Sequence, residues 1–155
     1  METIRVLEAL RRPPGVDPVR VQGWVRTKRD SKGGFSFIEI NDGTCMKGLQ
    51  IVAEGNLENY TSEVLAIGTG YSISAEGPIV ESQGTGQTVE LRAERIQVLG
   101  SADPDAYPLQ KNRQSFEFLR QIAHLRARTN TFGAICRVWN QLSRSVHDFF
   151  QEQGF

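Results

Sequence analysis

The stretch "GWVRTKRDSKGGFSFIEINDG" (Gly23–Gly43) contains two runs in which apolar and polar residues alternate. Such alternation with a period of two is typical of a half-buried β-strand. Between the runs, "KGG" (Lys32–Gly34) predicts a turn, and "NDG" (Asn41–Gly43) predicts another turn after the second run. The stretch therefore predicts a β-hairpin that leads directly into a third strand.

The strand pattern continues outward from this stretch and predicts five strands within the first hundred residues. Between the third and fourth strands, residues 56–70 change to a helical period, and Gly68 suits the end of a helix. Five strands with a helix between the third and the fourth are the plan of the OB-fold barrel, so the sequence predicts a mainly β fold of this class. Gly77 lies inside the fourth strand, where a barrel corner or a bulge is the usual reason. The predicted strands cover residues 19–27, 35–40, 47–53, 71–81 and 88–99.

The predicted OB-fold domain covers residues 19–100 and follows a lead-in of residues 1–18. In the lead-in, a short amphipathic helix is expected to stop at Pro13 and Pro14, because proline cannot continue a helix. Residues 101–128 begin polar and proline-containing and then become basic, which predicts a linker or hinge. The apolar residues of the predicted lead-in helix are Ile4, Val6, Leu7 and Leu10.

Residues 129–155 predict one long helix, with Asn130 or Thr131 as its N-cap and Gly154 at its end. Its apolar residues form a single stripe, and such a stripe must be buried against another element. Because the barrel strands fill their own core, we expect the stripe to face a second copy of the chain, a further domain, or both. The expected interface residues are Phe132, Ile135, Trp139, Leu142, Val146 and Phe149.

Alternation along the second strand predicts an exposed aromatic pair. Ile38 and Ile40 would fill the core, so Phe35 and Phe37 would point outward. Exposed rings beside cations form a stacking platform with a positive rim, which suits bases and their phosphates. The alternative, that the two rings pack under a loop or under the lead-in helix, stays open on the pattern alone. The cations expected at the rim are Arg26, Lys28 and Arg29.

Two polar residues interrupt otherwise apolar strands. Gln50 lies between Leu49 and Ile51 in the third strand, and Glu90 lies in the fifth strand. Both are expected to face outward with Phe37, where an amide and a carboxylate could read the edge of a stacked base. Plain surface polarity explains either residue taken alone.

The composition restricts the classes of function. Lysine and arginine number 18, as do aspartate and glutamate, so no global field attracts polyanions, and any nucleic-acid contact must come from local clustering. The lone cysteines Cys45 and Cys136 fit no metal spacing and indicate a reducing cytosol. No apolar run approaches the ~20 residues that a membrane-spanning helix needs. His124 and His147 have no nucleophile and acid at a recognisable spacing, so no catalytic residue and no metal site is predicted.

The residues leave two kinds of function open. One is a free-standing OB-fold protein that binds single-stranded nucleic acid or tRNA without catalysis. The other is a barrel that binds proteins and has no role with nucleic acid.

Three stretches closely resemble the N-terminal third of bacterial-type asparaginyl-tRNA synthetases, which are class II aminoacyl-tRNA synthetases. The first is "VQGWVRTKRDSKGGFSFIEINDG" (Val21–Gly43), which aspartyl- and lysyl-type relatives share in looser form. The second is "YPLQKNRQSFEFLRQIAHLRARTNTFGAICRVWNQLS" (Tyr107–Ser143), in which "FEFLRQIAHLRARTNTFGA" resembles the asparaginyl type specifically. The third is "HDFFQEQGF" (His147–Phe155). The resemblance covers essentially the whole chain, and we expect the chain to be a part of a longer protein.

This resemblance implies an OB-fold anticodon-binding domain followed by the start of a catalytic domain. It implies that Phe37 stacks on the middle uracil of the anticodon of tRNA(Asn), and that Gln50 and Glu90 line the same pocket. Arg29 would lie beside the anticodon.

For the long helix, the resemblance implies the motif 1 helix of a homodimeric enzyme of the cytoplasm. The full-length enzyme would use ATP and Mg²⁺ to activate asparagine and would transfer it to tRNA. The motifs that bind ATP in this family are not found in this sequence, so the resemblance implies no catalytic residue and no cofactor within the chain itself.

Overall fold

The computed structural model describes residues 1–84, 86–110, 112 and 114–155. The chain divides into two compact units, residues 1–111 and residues 112–155. The division falls within the predicted linker of residues 101–128, whose own bounds remain a prediction.

The strands of the first unit follow the sequence prediction closely. Each predicted strand is present, and the last two are each divided into two shorter strands. In chain order the elements are β1 (Glu2–Ile4), α1 (Val6–Ala9), β2 (Val19–Ser31), β3 (Phe35–Asn41), β4 (Leu49–Glu54), a 3-10 helix (Val64–Ala66), β5 (Ser72–Gly77), β6 (Ile79–Glu81), β7 (Val89–Ala93) and β8 (Arg95–Gly100).

The strands form one sheet with the order β6-β7-β4-β3-β2-β5-β8, and β1 pairs with β2 at the side. β5 and β6 are two halves of one bent strand, as are β7 and β8. β5 pairs with β2 and β8, whereas β7 pairs with β4 and β6. Each bent strand therefore reaches both ends of the sheet and closes it into a barrel of five long strands, which confirms the predicted OB-fold class.

The barrel corner lies at Gly77, as predicted. A Cβ atom at this position would overlap the carbonyl oxygen of Arg92 on the neighbouring strand, so the close approach requires glycine. Two backbone hydrogen bonds hold the corner: the N–H of Arg92 donates to Pro78 at 3.1 Å, and the N–H of Glu94 donates to Glu76 at 2.8 Å. The bend thus keeps the pairing on both of its sides.

The core is filled by the inward-facing half of each strand. In β3 the side chains of Ser36, Ile38 and Ile40 are buried, whereas Phe35 and Phe37 are half-buried on the other face. The predicted alternation in this strand is therefore confirmed. The largest fully buried side chains are Ile38, Ile40, Leu49, Ile51, Ile73, Ile79, Leu91, Ile96, Val6, Val19, Val21 and Val64.

The predicted lead-in helix is only partly correct. The helix is limited to Val6–Ala9, and Ile4 belongs instead to β1, which pairs in parallel with the start of β2. The start of β2 offers a strand edge at Val19–Val21, and β1 pairs with it. This pairing satisfies backbone N–H and C=O groups of β1 that a longer helix would have satisfied internally. Ile4 and Val6 are nevertheless buried, as the amphipathic pattern predicted.

The predicted helix of residues 56–70 is wrong in extent. The segment consists of turns and a single 3-10 helix, Val64–Ala66. Side-chain contacts override the helical period here: the amide of Asn59 donates to the carbonyl oxygen of Ile96 at 2.8 Å, and the hydroxyl of Tyr60 lies 2.9 Å from Ser36 Oγ. These anchors fix the segment to the barrel in an irregular path.

The second unit contains α2 (Phe116–Gln121), a 3-10 helix (Arg126–Arg128) and the long helix α3 (Asn130–Glu152). The N-cap of α3 is Thr129, whose hydroxyl oxygen accepts the N–H of Phe132 at 3.3 Å, so the predicted caps Asn130 and Thr131 are wrong by one or two positions. Gly154 has a φ of 85° just past the helix end, which confirms the predicted stop.

The carboxylate of Asp42 ties the N-terminal segment to the barrel. Its Oδ2 accepts the N–H of Val6 at 3.0 Å and so caps α1, whose own N-cap residue Arg5 makes no side-chain cap bond. Its Oδ1 accepts the N–H and the hydroxyl of Thr44 at 3.0 and 2.6 Å. Burial acts to raise the pKa of Asp42, but these hydrogen bonds outweigh it and hold the pKa below its ordinary value.

This lowered pKa predicts an acid-dependent loss of stability. Because the folded pKa lies below the unfolded pKa of about 3.9, the stabilisation by Asp42 is complete above that pH and is lost as the pH falls through the folded pKa. We expect Asp42→Asn to lower the free energy of unfolding by about 1–2 kcal/mol near neutral pH. The difference from the parent chain should shrink below about pH 4. Urea unfolding from neutral pH to about pH 3 measures both quantities, and a difference that does not change with pH would contradict this role.

Candidate nucleic-acid interface

One outer face of the barrel, formed by β2, β3, β4 and β7, carries the side chains that the sequence singled out. Arg29 stands opposite Phe37 in the pairing of β2 with β3, and Glu39 stands opposite Gln50 in the pairing of β3 with β4. Directly paired residues point to the same side of a sheet, so these four side chains share the outer face. The neighbours of Phe37, Glu39 and Gln50 along their strands include buried core residues, which fixes the direction of the outward set.

The ring of Phe37 is held between an aromatic and a cationic neighbour. Phe35 contacts it edge to face, with 5.2 Å between ring centroids and 85° between planes. The guanidinium carbon of Arg29 lies 4.8 Å from the centroid of the Phe37 ring, which is a cation–π contact. The ring is half-buried, so part of it remains open to a ligand.

A second group of polar side chains surrounds Glu90 on β7. Its Oε2 accepts hydrogen bonds from Gln50 Nε2 at 2.9 Å, from the hydroxyl of Ser82 at 2.9 Å and from Gln87 Nε2 at 3.1 Å. Gln87 Nε2 also donates to Ser82 Oγ at 3.0 Å, and Ser82 Oγ accepts the N–H of Gly84 at 3.2 Å. The network links the hairpin loop between β6 and β7 to the middle of β4.

Both groups border one open cleft of about 810 Å³. A cleft of this size is in the range of ~300–1,000 Å³ that holds a drug-sized ligand, so it can hold a nucleotide. The residues that line it are Leu10, Thr27, Lys28, Arg29, Phe37, Glu39, Lys47, Gly48, Gln50, Gly86, Gln87 and Thr88.

The structure brings together most of the predicted site residues, although their role in binding remains a prediction. Arg29, Phe37 and Gln50 line the cleft, and Glu90 is bonded to Gln50 behind it. Phe35 supports the Phe37 ring from its edge. Arg26, another of the predicted cations of β2, is the extra residue of a β-bulge between Val25 and Thr27. It is not among the described residues that line the cleft.

Lys28 borders the same cleft, but other groups of the protein hold its charge, and its role in binding stays a prediction. Lys28 pairs with the core residue Ile38, and its side chain is only 8% exposed although part of it borders the cleft. Its Nζ donates to the carbonyl oxygen of Leu65 at 2.9 Å and lies 2.9 Å from Asp30 Oδ1. The one-residue offset from Arg29 reverses the direction of the side chain, because the period of a strand is two.

Lys28 instead belongs to a polar network at the inner side of β2 and β3. The hydroxyl of Ser36 donates to Asp30 Oδ1 at 2.5 Å, and this bond is the main cause that lowers the pKa of Asp30. The ammonium of Lys28 lowers the same pKa further, against the partial burial that acts to raise it. These bonds are structural, and Lys28 is the member of the network that also borders the cleft.

Some cleft residues were missed by sequence reasoning. Glu39 shares the alternation of Phe37, so its outward direction was available from the pattern, and its Oε2 accepts the hydroxyl of Thr27 at 3.1 Å. A Cβ atom at Gly48 would overlap the Glu39 side chain, so glycine at this position makes room for it. Lys47 and Gln87 lie in loops, which have no period that would have indicated their direction.

Within residues 1–84, 86–110, 112 and 114–155, no group of three histidine, cysteine, aspartate or glutamate side chains could hold a metal ion. The same described part of the chain has no helix that is long and apolar enough to cross a membrane.

Comparisons with known proteins identify the family to which the first hundred residues belong. The tRNA anti-codon model, an OB-fold nucleic acid binding domain, matches residues 19–99. An asparagine–tRNA ligase from Syntrophobacter fumaroxidans is 59% identical over 137 residues, which are 88% of this chain and 29% of that protein. An asparagine–tRNA ligase from Synechocystis is 50% identical over 155 residues, which are 100% of this chain and 33% of that protein. The chain thus spans about a third of the length of these relatives.

A solved structure supports the fold. The crystal structure of asparaginyl-tRNA synthetase from Pyrococcus horikoshii superimposes with a TM-score of 0.84 at 24% identity, over 98% of this chain and 36% of that chain. This structure and the family model confirm the predicted OB-fold class. The family model and the two ligase relatives confirm the resemblance stated from the sequence.

The opposite directions of Lys28 and Arg29 lead to a prediction about stability. We expect Lys28→Ala to lower the free energy of unfolding by about 1–2 kcal/mol, because Asp30 and the Leu65 carbonyl lose a charged donor. Arg29→Ala is the matched control: it removes only an exposed cation–π contact and should cost no more than about 1 kcal/mol. Urea unfolding of the two variants checks the order, and a larger loss for Arg29→Ala would contradict the placement.

Proposed function

The chain belongs to the family of OB-fold nucleic acid binding domains, and from this premise we propose that it reads the anticodon of tRNA(Asn) as part of an asparagine–tRNA ligase. The observation that carries the proposal is the open ring of Phe37 on the outer face, with a cation above it and, in the same cleft, the amide of Gln50 that is bonded to Glu90.

Stacking is the first component of the proposed recognition. An unpaired base stacks on an aromatic ring whatever its identity, with about 1–3 kcal/mol per base. The guanidinium plane of Arg29 is itself a stacking surface for bases, so Arg29 and Phe37 together offer a flat platform with positive charge. The edge contact from Phe35 holds the ring in place before the ligand arrives.

Polar contacts to the base edge are the second component. The amide of Gln50 borders the same cleft as the Phe37 ring and is positioned by Glu90. Single-stranded RNA is read in this way, by stacked bases whose exposed edges form hydrogen bonds with side chains. Lys47 and Arg29 at the cleft add charge for the phosphates, which stabilises binding without regard to sequence.

The two alternatives from the sequence are less well supported. A free-standing single-strand binder is not favoured, because the relatives that match nearly the whole chain are asparagine–tRNA ligases about three times as long. A barrel that binds only proteins does not account for a cation–π platform and an amide in one cleft.

The activity of the whole protein is part of the proposal and rests on the names of the relatives. They are aminoacyl-tRNA synthetases, for which ATP and Mg²⁺ would supply the activation of asparagine before its transfer to tRNA. A cytoplasmic location is proposed with it, since tRNA charged for protein synthesis is used there.

We also propose that the apolar stripe of α3 packs against a second copy of the protein. Trp139 and Leu142 are 63% and 60% exposed, and Val146 and Phe149 are exposed beside them. A contiguous exposed apolar stripe of this kind marks an interaction surface. At the start of the helix the stripe is already in contact within its own unit, where Phe132 packs against Phe116 and Arg126, and Ile135 is half-buried. The described residues that would form the interface are therefore mainly those from Trp139 onward.

The stacking proposal predicts the effect of removing the ring. Phe37→Ala should weaken tRNA(Asn) binding by about 1–3 kcal/mol, which is roughly five- to 150-fold in Kd, because the stacked base loses its platform. Filter binding or fluorescence anisotropy with the purified chain measures the change. Leu99→Ala is the matched control, since it truncates an exposed apolar side chain on β8 of the same barrel. Unchanged tRNA affinity of a folded Phe37→Ala chain would contradict anticodon recognition at this face.

The dimer proposal predicts concentration-dependent association. Leu142→Asp should shift the chain toward monomer in sedimentation equilibrium, because a carboxylate in an apolar interface is costly to desolvate. Gln141→Asp places the same charge on a neighbouring, polar part of the helix and should leave association unchanged. A parent chain that stays monomeric at all concentrations would contradict packing against a second copy.

A further inference from the structure

The hydrogen bond to Glu90 fixes the orientation of the Gln50 amide. A carboxylate accepts hydrogen bonds and cannot donate them, so the amide atom that lies 2.9 Å from Glu90 Oε2 must be the nitrogen. The same reasoning fixes the amide of Gln87, whose nitrogen lies 3.1 Å from the same oxygen. Both glutamines border the cleft, so each retains its carbonyl oxygen as the amide atom available to a ligand.

Glu90 is in turn held by the hairpin loop between β6 and β7. The hydroxyl of Ser82 and the amide of Gln87 both donate to Glu90 Oε2, and they are bonded to each other at 3.0 Å. The N–H of Gly84 donates to Ser82 Oγ, which ties this hydroxyl to the backbone of the loop. The carboxylate therefore has three side-chain donors on one oxygen and little freedom to turn.

We propose that Ser82 and Gln87 are positioning residues that, through Glu90, lock the Gln50 amide with its carbonyl oxygen toward the base and thereby set which base the cleft accepts. The proposal rests on the proposed function of the cleft and adds the residues that control its selectivity. Neither Ser82 nor Glu90 is among the described residues that line the cleft, and neither needs to touch the ligand for this effect.

The lock matters because a free glutamine amide can serve two different bases. Rotated by half a turn, it presents either an acceptor or a donor at the same place. Uracil carries a ring N–H, which needs an acceptor, whereas cytosine carries an unprotonated ring nitrogen, which needs a donor. A locked carbonyl oxygen satisfies uracil and leaves cytosine with two acceptors facing each other, which is unfavourable. Loosening the lock lets the amide rotate and makes cytosine acceptable.

The experiment compares two RNA hairpins that differ in a single base, uracil or cytosine, at the middle of the anticodon loop. Their Kd values are measured with the 155-residue chain and its variants by fluorescence anisotropy. We expect the parent chain to prefer uracil by at least about five-fold. Ser82→Ala and Gln87→Ala should each lower this preference by roughly two- to ten-fold, mainly because cytosine binds better. Ser82→Thr keeps the hydroxyl and should keep the preference.

The controls separate positioning from a general effect on the loop. Gln83→Ala removes an exposed glutamine from the same hairpin and should leave the preference unchanged. The salt dependence of Kd should be equal in all variants, because no phosphate contact is altered.

The outcomes also separate the two proposals. A parent chain that prefers uracil, with Ser82→Ala and Gln87→Ala keeping that preference in full, overturns the positioning role and leaves the proposed function standing. A parent chain that binds neither hairpin, or binds both regardless of Phe37, overturns the proposed function and this inference with it.

Discussion

The alternation of side chains along β3, and along β2 after its bulge at Arg26, is the constraint on which the rest of the structure depends. In the pairing of these strands, Lys28 stands opposite Ile38 and Arg29 stands opposite Phe37, so neighbouring residues are sent to opposite faces of the barrel wall. A slip of one residue would bring the phenylalanines into the core and the isoleucines out to the solvent. Burying Ile38 and Ile40 therefore stabilises the fold and, by the same register, places the platform outside.

Barrel closure turns this face into a cleft. Because β5–β6 and β7–β8 bend, β7 can pair with β4 while its hairpin partner β6 reaches round the end of the barrel. The loop between β6 and β7 then lies beside the outer face of β4, where Gln87 and Glu90 meet Gln50. The close backbone approach at Gly77 is the local condition for that bend. A remote glycine and the polar network of the cleft are thus connected through the path of one strand.

The sequence could predict those parts that follow from periodicity. The five strands, the direction of Phe37 and the outward position of Gln50 follow from a period of two and from short turns. The partners of Lys28 could not be predicted, because the carbonyl of Leu65 reaches its ammonium only when the chain folds. The segment of residues 56–70 was misassigned because its path depends on Asn59 and Tyr60 binding to distant strands, which no local pattern contains. The loop residues around Glu90 could not be predicted, since their positions arise only when the barrel closes.

Two polar networks in the same barrel wall have different consequences for the protein. The inner one joins Lys28, Asp30 and Ser36 and compensates polar groups that the barrel end buries, so its cost or benefit is felt in folding. The outer one joins Gln50 and Glu90 beside an open cleft, where solvent can replace any bond that is lost, so its value lies in orientation rather than in stability. Because the two networks share strands but face different media, a change to one need not disturb the other. A binding face built in this way can alter its selectivity while the core that supports it stays the same.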